Sequence, residues 1–308
     1  MLMVHLSRKG ELCMREEVRW ERMFPDELDA AFERRPLAWL TYGLCEPHGP
    51  HNALGLDALK AHSLACAAAR KHGGIVAPAE YWHIHEIGRF AASTCLKKLG
   101  EKNRTWLTAV PPWIFFRNVL FHIRAADAHG FHAAMIITGH GGCHTKDLKT
   151  LLEFWQPHFA MRLLGLMDHD VLGDGKGDHA GRIETSQLWA LEPDCVDFSR
   201  LPKEWAPYPD NYATGLDAGE ADRRQGEQMI AEQVERLGQK ARELLDAYRV
   251  PAEGRRPCSF ADMDRLWEKT MREVFPKLEI MVQQVEGWPP PPASSRWMLN
   301  WKIVPPVN

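Results

Sequence analysis

Glu46 and His48 stand two residues apart in Cys45-Glu46-Pro47-His48-Gly49-Pro50-His51, and Asp57 follows shortly after. Two carboxylates and an imidazole suit a hard-to-borderline divalent cation. Taken alone, the stretch has two readings. It is a metal site, or it is a turn in which Asp57 caps the helix that begins beside it. A second element is Thr138-Gly139-His140-Gly141-Gly142-Cys143-His144. Glycines on both sides of a histidine allow close approach of backbone to a ligand or metal. Alone, it reads equally as a strand-to-helix turn with an incidental histidine. The third is Gly177-Asp178-His179-Ala180-Gly181-Arg182-Ile183-Glu184-Thr185-Ser186. His179 and Glu184 are separated by a glycine, or the segment is a loop ending in a capping Thr185 or Ser186.

These residues need elements to position them. The apolar run Leu37 to Leu44 leads straight into Glu46. As a strand it projects Glu46 and His48 from one face. Asp57 to His72 is alanine-rich with helical spacing and ends at Gly73-Gly74. Gly74 to Pro78 reads as a short strand, and Trp106 to Val110 as a further strand or the lead into the proline pair that follows. Phe115 to His129 predicts a helix closed by Gly130, and Ala133 to Thr138 a buried strand. His144 to Phe159 is helical, Met161 to Met167 a strand and Ser186 to Leu191 a short helix. Such alternation predicts an α/β fold, a three-layer α/β/α arrangement around a mostly parallel sheet. Sites in such sheets form beyond the carboxyl ends of the strands. Glu46, His48 and His140 therefore fall on one sheet edge by topology.

The texture changes after residue 192. A loop-rich stretch precedes a charged helix, Glu220 to Tyr248, with an apolar stripe of Met229, Ile230, Val234, Leu237, Ala241, Leu244 and Leu245. Ser259 to Phe275 opens on a capping box with Asp262. The division expected is one domain over 1–250 and a C-terminal helix and Pro/Trp-rich tail over 251–308, packing on the domain or a neighbouring subunit. The 308 residues carry a formal charge of −3 and 45% hydrophobic residues, which describes a globular chain. No basic stripe marks a nucleic-acid partner, and no apolar run approaches the roughly 20 residues that span a bilayer. The 7 cysteines are scattered without a C-x-x-C pair, so a reducing cytoplasm is expected.

Taken together and in order, the three elements resemble the creatininase (creatinine amidohydrolase) family. That family carries E-x-H-G-P-H with L-x-x-D, then G-H-G-G-N, then H-A-G-x-x-E-T-S. This chain has Glu46 to His51, Leu54-Gly55-Leu56-Asp57, Gly139 to Cys143, and His179 to Ser186. The resemblance implies two divalent metal ions per chain (Zn, Mn or Fe(II)). Glu46, Asp57 and His140 would hold one, and His48, Asp57 and Glu184 the other, with Asp57 bridging. A water between them would attack, with His179 as acid/base to the leaving nitrogen. Glu184 closes the second metal position. The activity implied is hydrolysis of a non-peptide C–N bond, a cyclic amide or formamide, in a small polar molecule. A lactone or diketone hydrolase is the alternative on the same scaffold, and a non-catalytic metal clamp serving assembly is another. Relatives form hexamers or other homo-oligomers, so the same is expected here.

The departures carry information. Creatininase has G-H-Y-E-N, whose glutamate binds metal, where this chain has Gly142. The usual asparagine is Cys143, expected to be a small buried residue and not a ligand. The tryptophan that creatininase places before H-A-G is absent from Gly173-Asp174-Gly175-Lys176-Gly177-Asp178. Creatinine is therefore not the expected substrate. Trp82, His83 and His85 follow the second strand, where the family has a substrate-side loop. His85 is the first choice there for a substrate role, with Lys176 as a candidate for an anionic substrate group. His51 is expected to orient the turn or a ligand.

Overall fold

The computed structural model describes residues 17–85, 88–101, 107–142, 144–173, 175–204, 211–252, 256–282 and 291–300. Four parallel strands form the sheet: β1 (Leu37–Tyr42), β2 (Ile75–Val76), β3 (Ala133–Thr138) and β4 (Arg162–Met167), in the order β2-β1-β3-β4. Register runs Leu37 against Ala133 and Ala133 against Arg162. Strands β1 and β3 are buried at every position, as expected of runs covered on both faces. Trp106 to Val110 forms no strand among its described residues. It contributes an isolated bridge, His83 to Ala109.

Strict alternation along the strands divides the core in two. Ala38, Leu40, Tyr42, Ala134 and Ile136 face one layer. It holds α1 (Pro25–Arg34), α4 (Pro112–His129) and α5 (His144–Trp155). Leu37, Trp39, Ala133, Met135 and Ile137 face the other. That layer holds α2 (Leu56–His72) and α7 (Arg223–Asp246). The stripe expected on α7 packs there through Val234, Leu237 and Ala241, with Ile230, Leu244 and Leu245 at its margin. Helix α6 (Arg182–Leu191) packs on α7 and α2, and α3 (Gly88–Leu99) packs against the C-terminal turn Arg296–Asn300. Helix α3 is not foreseen by the sequence reading. Gly130 closes α4 in the left-handed region at φ 99°.

The C-terminal segment is not peripheral to the core. Helix α8 (Phe260–Glu273), with the predicted Ser259–Asp262 capping box, and α9 (Glu279–Val282) follow α7. They bring Met263, Leu266, Trp267, Phe275, Leu278 and Ile280 into the same cluster as Phe115 and Trp155. Trp297 is 1% exposed, packs with Ala92, Cys95 and Leu99 of α3, and donates from Nε1 to Gly100 O at 3.1 Å. Trp301 lies outside the described residues. No described helix is long and apolar enough to cross a membrane. The described cysteines are free thiols.

Two glycines determine how α2 meets the sheet. A Cβ on Gly43 would lie 2.2 Å from Ala58 N, and one on Gly139 would lie 2.1 Å from Asp57 O. The first turn of α2 thus rests on the ends of β1 and β3. This contact carries Asp57 into the gap between them.

Candidate metal centre

The chemical side chains reach the sheet edge from four segments of the chain. Glu46 and His48 lie on the extended segment beyond β1, Asp57 in the first turn of α2, and His140 just after β3. His179 and Glu184 come from the loop before α6 and its first turn. The loop after β1 is pinned by Glu46 N–H to Leu54 O at 2.9 Å and by Asn52 Nδ2 to His48 O at 3.0 Å. His51 Nε2 and Asn52 Nδ2 meet Thr185 Oγ1 at 3.2 and 3.0 Å, tying the first motif to the third. His51 is held to about 4 by its burial.

Asp57 has a divided carboxylate. Oδ1 lies 3.1 Å from His48 Nε2, and Oδ2 lies 3.0 Å from His140 Nδ1. Glu46 Oε1 is also 3.0 Å from His140 Nδ1, while Oε2 is 3.4 Å from His85 Nε2. Glu184 Oε2 lies 3.9 Å from His48 Nε2. Three groups of donor atoms each fit within 4.8 Å: Glu46–Asp57–His140, His48–Asp57–Glu184, and Glu46–His48–His179. Donors sharing one cation at about 2.0–2.2 Å are separated by about 3–4 Å.

The residues fit a divalent cation. His48 Nδ1 donates to Glu46 O at 3.0 Å, which leaves the Nε2 lone pair facing the carboxylates. Nε2 is buried and faces Asp57 Oδ1 at 3.1 Å. A lone pair directed among Asp57, Glu46 and Glu184 is repulsive unless positive charge lies between them. The same demand shows in the titrations. Burial opposes charge on His48, but the Asp57 carboxylate outweighs it and lifts the imidazole to about 9. Burial raises Glu46, yet His140 holds it well below the usual carboxylate range. Asp57 is lowered against burial by His48 and His140, and Glu184 by Lys60 and His48. Anionic carboxylates converge here, and the histidines among them attract positive charge.

His179 differs from its neighbours. Its side chain is 29% exposed, and its ring lies 4.6 Å from that of His48, centroid to centroid. Nε2 donates to Pro47 O at 3.2 Å, and Nδ1 is 3.9 Å from Glu46 Oε1. Burial and the adjacent His48 lower it to about 4.

A cavity of about 350 Å³ opens above this cluster. Its lining includes Glu46, Asp57, His85, His140, His179 and Glu184. Across from them, α3 contributes Thr94, Cys95, Lys98 and Leu99. His83 is buried outside this lining, with Nδ1 donating to Ile84 O at 2.9 Å and its ring 4.0 Å from Phe115. Trp82 is 57% exposed, and Lys176 is exposed beside the lining residue Gly177. Neither belongs to the lining. Gly142 lines the cavity with no side chain, and Cys143 lies outside the described residues. The sequence reading missed Lys60, Asp168, Lys98 and His169. Lys60 and Asp168 are buried beneath the centre, and Lys98 and His169 line the cavity.

Residues 109–241 match the family model Creatininase: creatinine amidohydrolase. The fold is shared with solved structures. A putative creatinine amidohydrolase from Bacteroides fragilis NCTC 9343 is 19% identical over 78% of this chain and 100% of its own, with TM-score 0.60. A creatininase described as the Mn form is 22% identical over 73% and 98%, with TM-score 0.56. A creatininase variant of Zn–Zn type is 21% identical over 73% and 97%, with TM-score 0.57. No curated protein matches the chain by sequence. The family match spans the second and third motifs, whereas the first, Glu46 to Asp57, lies outside the matched residues and rests on the shared fold.

Proposed function

We propose that this chain is a metal-dependent hydrolase with two divalent ions, cleaving a non-peptide C–N bond in a small polar molecule such as a cyclic amide or formamide. The observation that carries this reading is the divided Asp57 carboxylate, one oxygen toward His48 and the other toward His140. Glu46 and His140 complete one ligand set with Asp57, and His48 and Glu184 the other. Oxygen and imidazole donors without thiolate suit Zn, Mn or Fe(II). Divalent ions held there polarise a carbonyl and bring the pKa of water towards neutrality.

The chain's own residues account for the rest. Hydrolysis forms a C–O bond from water, breaks the C–N bond and delivers a proton to the departing nitrogen. His179 faces the cavity, and the Pro47 carbonyl fixes its ring, so it serves as the acid/base for that proton. Lining from α3 closes the opposite side and selects the substrate.

Metal analysis after offering Zn, Mn and Fe(II) tests the reading. Two ions per chain are expected; a single ion overturns the two-ion reading, and fewer than one overturns metal dependence itself. Screening formamides, lactams and lactones with the loaded protein identifies the bond. Turnover of lactones alone would replace the amide by an ester.

A further inference from the structure

Lys60 lies one turn after Asp57 on the same face of α2 and is 2% exposed. Its Nζ is 2.7 Å from Glu184 Oε1 and 2.9 Å from Asp168 Oδ2. An ammonium buried this deeply persists only where carboxylates replace its hydration. One of those carboxylates belongs to the first turn of α6, the other follows β4. Glu184 is held at its other oxygen too, where Oε2 accepts from Ala180 N–H at 2.9 Å. Ala180 adopts φ 50°, the left-handed region that a residue with a Cβ rarely occupies. The backbone of the third motif is therefore bent at the point where it reaches this carboxylate.

The result is an asymmetric carboxylate. Oε1 is engaged by Lys60, and Oε2 alone looks toward His48. The other ligand set is held differently: Glu46 Oε2 faces His85 Nε2 at 3.4 Å, and Glu46 and Asp57 both meet His140 Nδ1 at 3.0 Å. Gly142 offers no side chain at the position where creatininase has a metal-binding glutamate. The second position then depends on Glu184 being held in place from behind.

We propose that Lys60 is a positioning residue for the second metal position, presenting Glu184 Oε2 to it, and that the first position does not need Lys60. The inference rests on the two-ion reading above. Removing an outer-shell partner of a metal ligand typically costs about 10–100-fold in affinity. The loss is expected at one ion only.

The test is metal content of the full chain at buffered free Mn, with circular dichroism as the check on folding. Lys60→Met alone strands two buried carboxylates, so it is paired with Asp168→Leu. A second pair, Lys60→Gln with Asp168→Asn, keeps volume and hydrogen bonding but removes the ammonium, and serves if the first does not fold. The parent is expected to hold two ions. Each folded pair should hold one at parental affinity and bind the other about 10–100-fold more weakly. Two ions at parental affinity in a folded pair overturn the role of Lys60. Equal weakening of both ions overturns its selectivity. A parent that binds fewer than two ions overturns the two-ion reading itself, before any variant is compared.

Discussion

Replacing Gly139 by alanine tests whether the sheet edge sets the position of Asp57. The new Cβ would lie 2.1 Å from Asp57 O and 2.8 Å from Asp57 C. Both are backbone atoms, so no rotamer change relieves the clash. Restoring ordinary contact moves the start of α2 outward by about 1 Å. Overpacking of this kind costs about 1–3 kcal/mol, and for domains of 150–250 residues each kcal/mol lowers Tm by about 2–4 °C. The metal sites are less tolerant, since ligand distances hold within about 0.2 Å. The expected outcome is a modest fall in the Tm of metal-free protein together with loss of both ions at free Mn that saturates the parent. Both are lost because Asp57 serves both sets. Gly175→Ala is the matched control, because its Cβ meets nothing within 4 Å and only its φ of +66° is strained. Thermal unfolding of the metal-free proteins and metal content by mass spectrometry supply the two readings. A folded Gly139→Ala protein that keeps two ions at parental affinity would refute the reasoning.

Three further outcomes follow from the same geometry. Asp57→Asn removes the divided charge and should bring metal content well below two per chain at free Mn that saturates the parent; unchanged content would remove Asp57 from the ligand sets. His179→Ala should keep its metal and lose about 10²–10⁴-fold in turnover. Metal loss in that variant would instead favour the Glu46–His48–His179 grouping. Asp147 accepts from the Glu279 and Ile280 amides at 2.6 and 2.9 Å, and burial raises it from 3.8 to about 6. The folded state thus binds its proton more tightly than the unfolded state does. The stability this contributes is full below about pH 4 and disappears as pH rises through about 6. Denaturant melts of the parent and Asp147→Asn should diverge across that window, and parallel pH profiles would contradict it.

The sequence revealed most where one local property decided the structure. Leu37 to Tyr42 and Ala133 to Thr138 are apolar on both faces, which only a covered parallel strand requires. Ser259 and Asp262 announce α8 through a contact three residues long. The candidate ligand residues stood out because three short motifs lie at strand or helix ends, and the fold brings their side chains together. Lys60 was not. In an alanine-rich helix it reads as a solvated cation, and its burial depends on Glu184, 124 positions away. Gly139 was visible, but its reason was misplaced. Its missing side chain makes room for Asp57 backbone before any ligand. Helix α3 escaped because much of its apolar face is matched by Trp297, far along the chain. The C-terminal segment read as an extension for the same cause. Its apolar residues complete a core that local periodicity cannot disclose.

The Trp297 contact gives the cavity two walls of different ancestry. The chemical floor is anchored by the strands, whereas the α3 wall, with Thr94 and Lys98, is braced by a residue 197 positions beyond Gly100. The tail therefore braces one wall of the cavity from a distance. Changes there can reshape what the cavity admits while the floor stays where the sheet put it. A version of this protein shortened before Trp297 would keep its ligand residues, yet it would be a poor reporter of what the intact chain accepts.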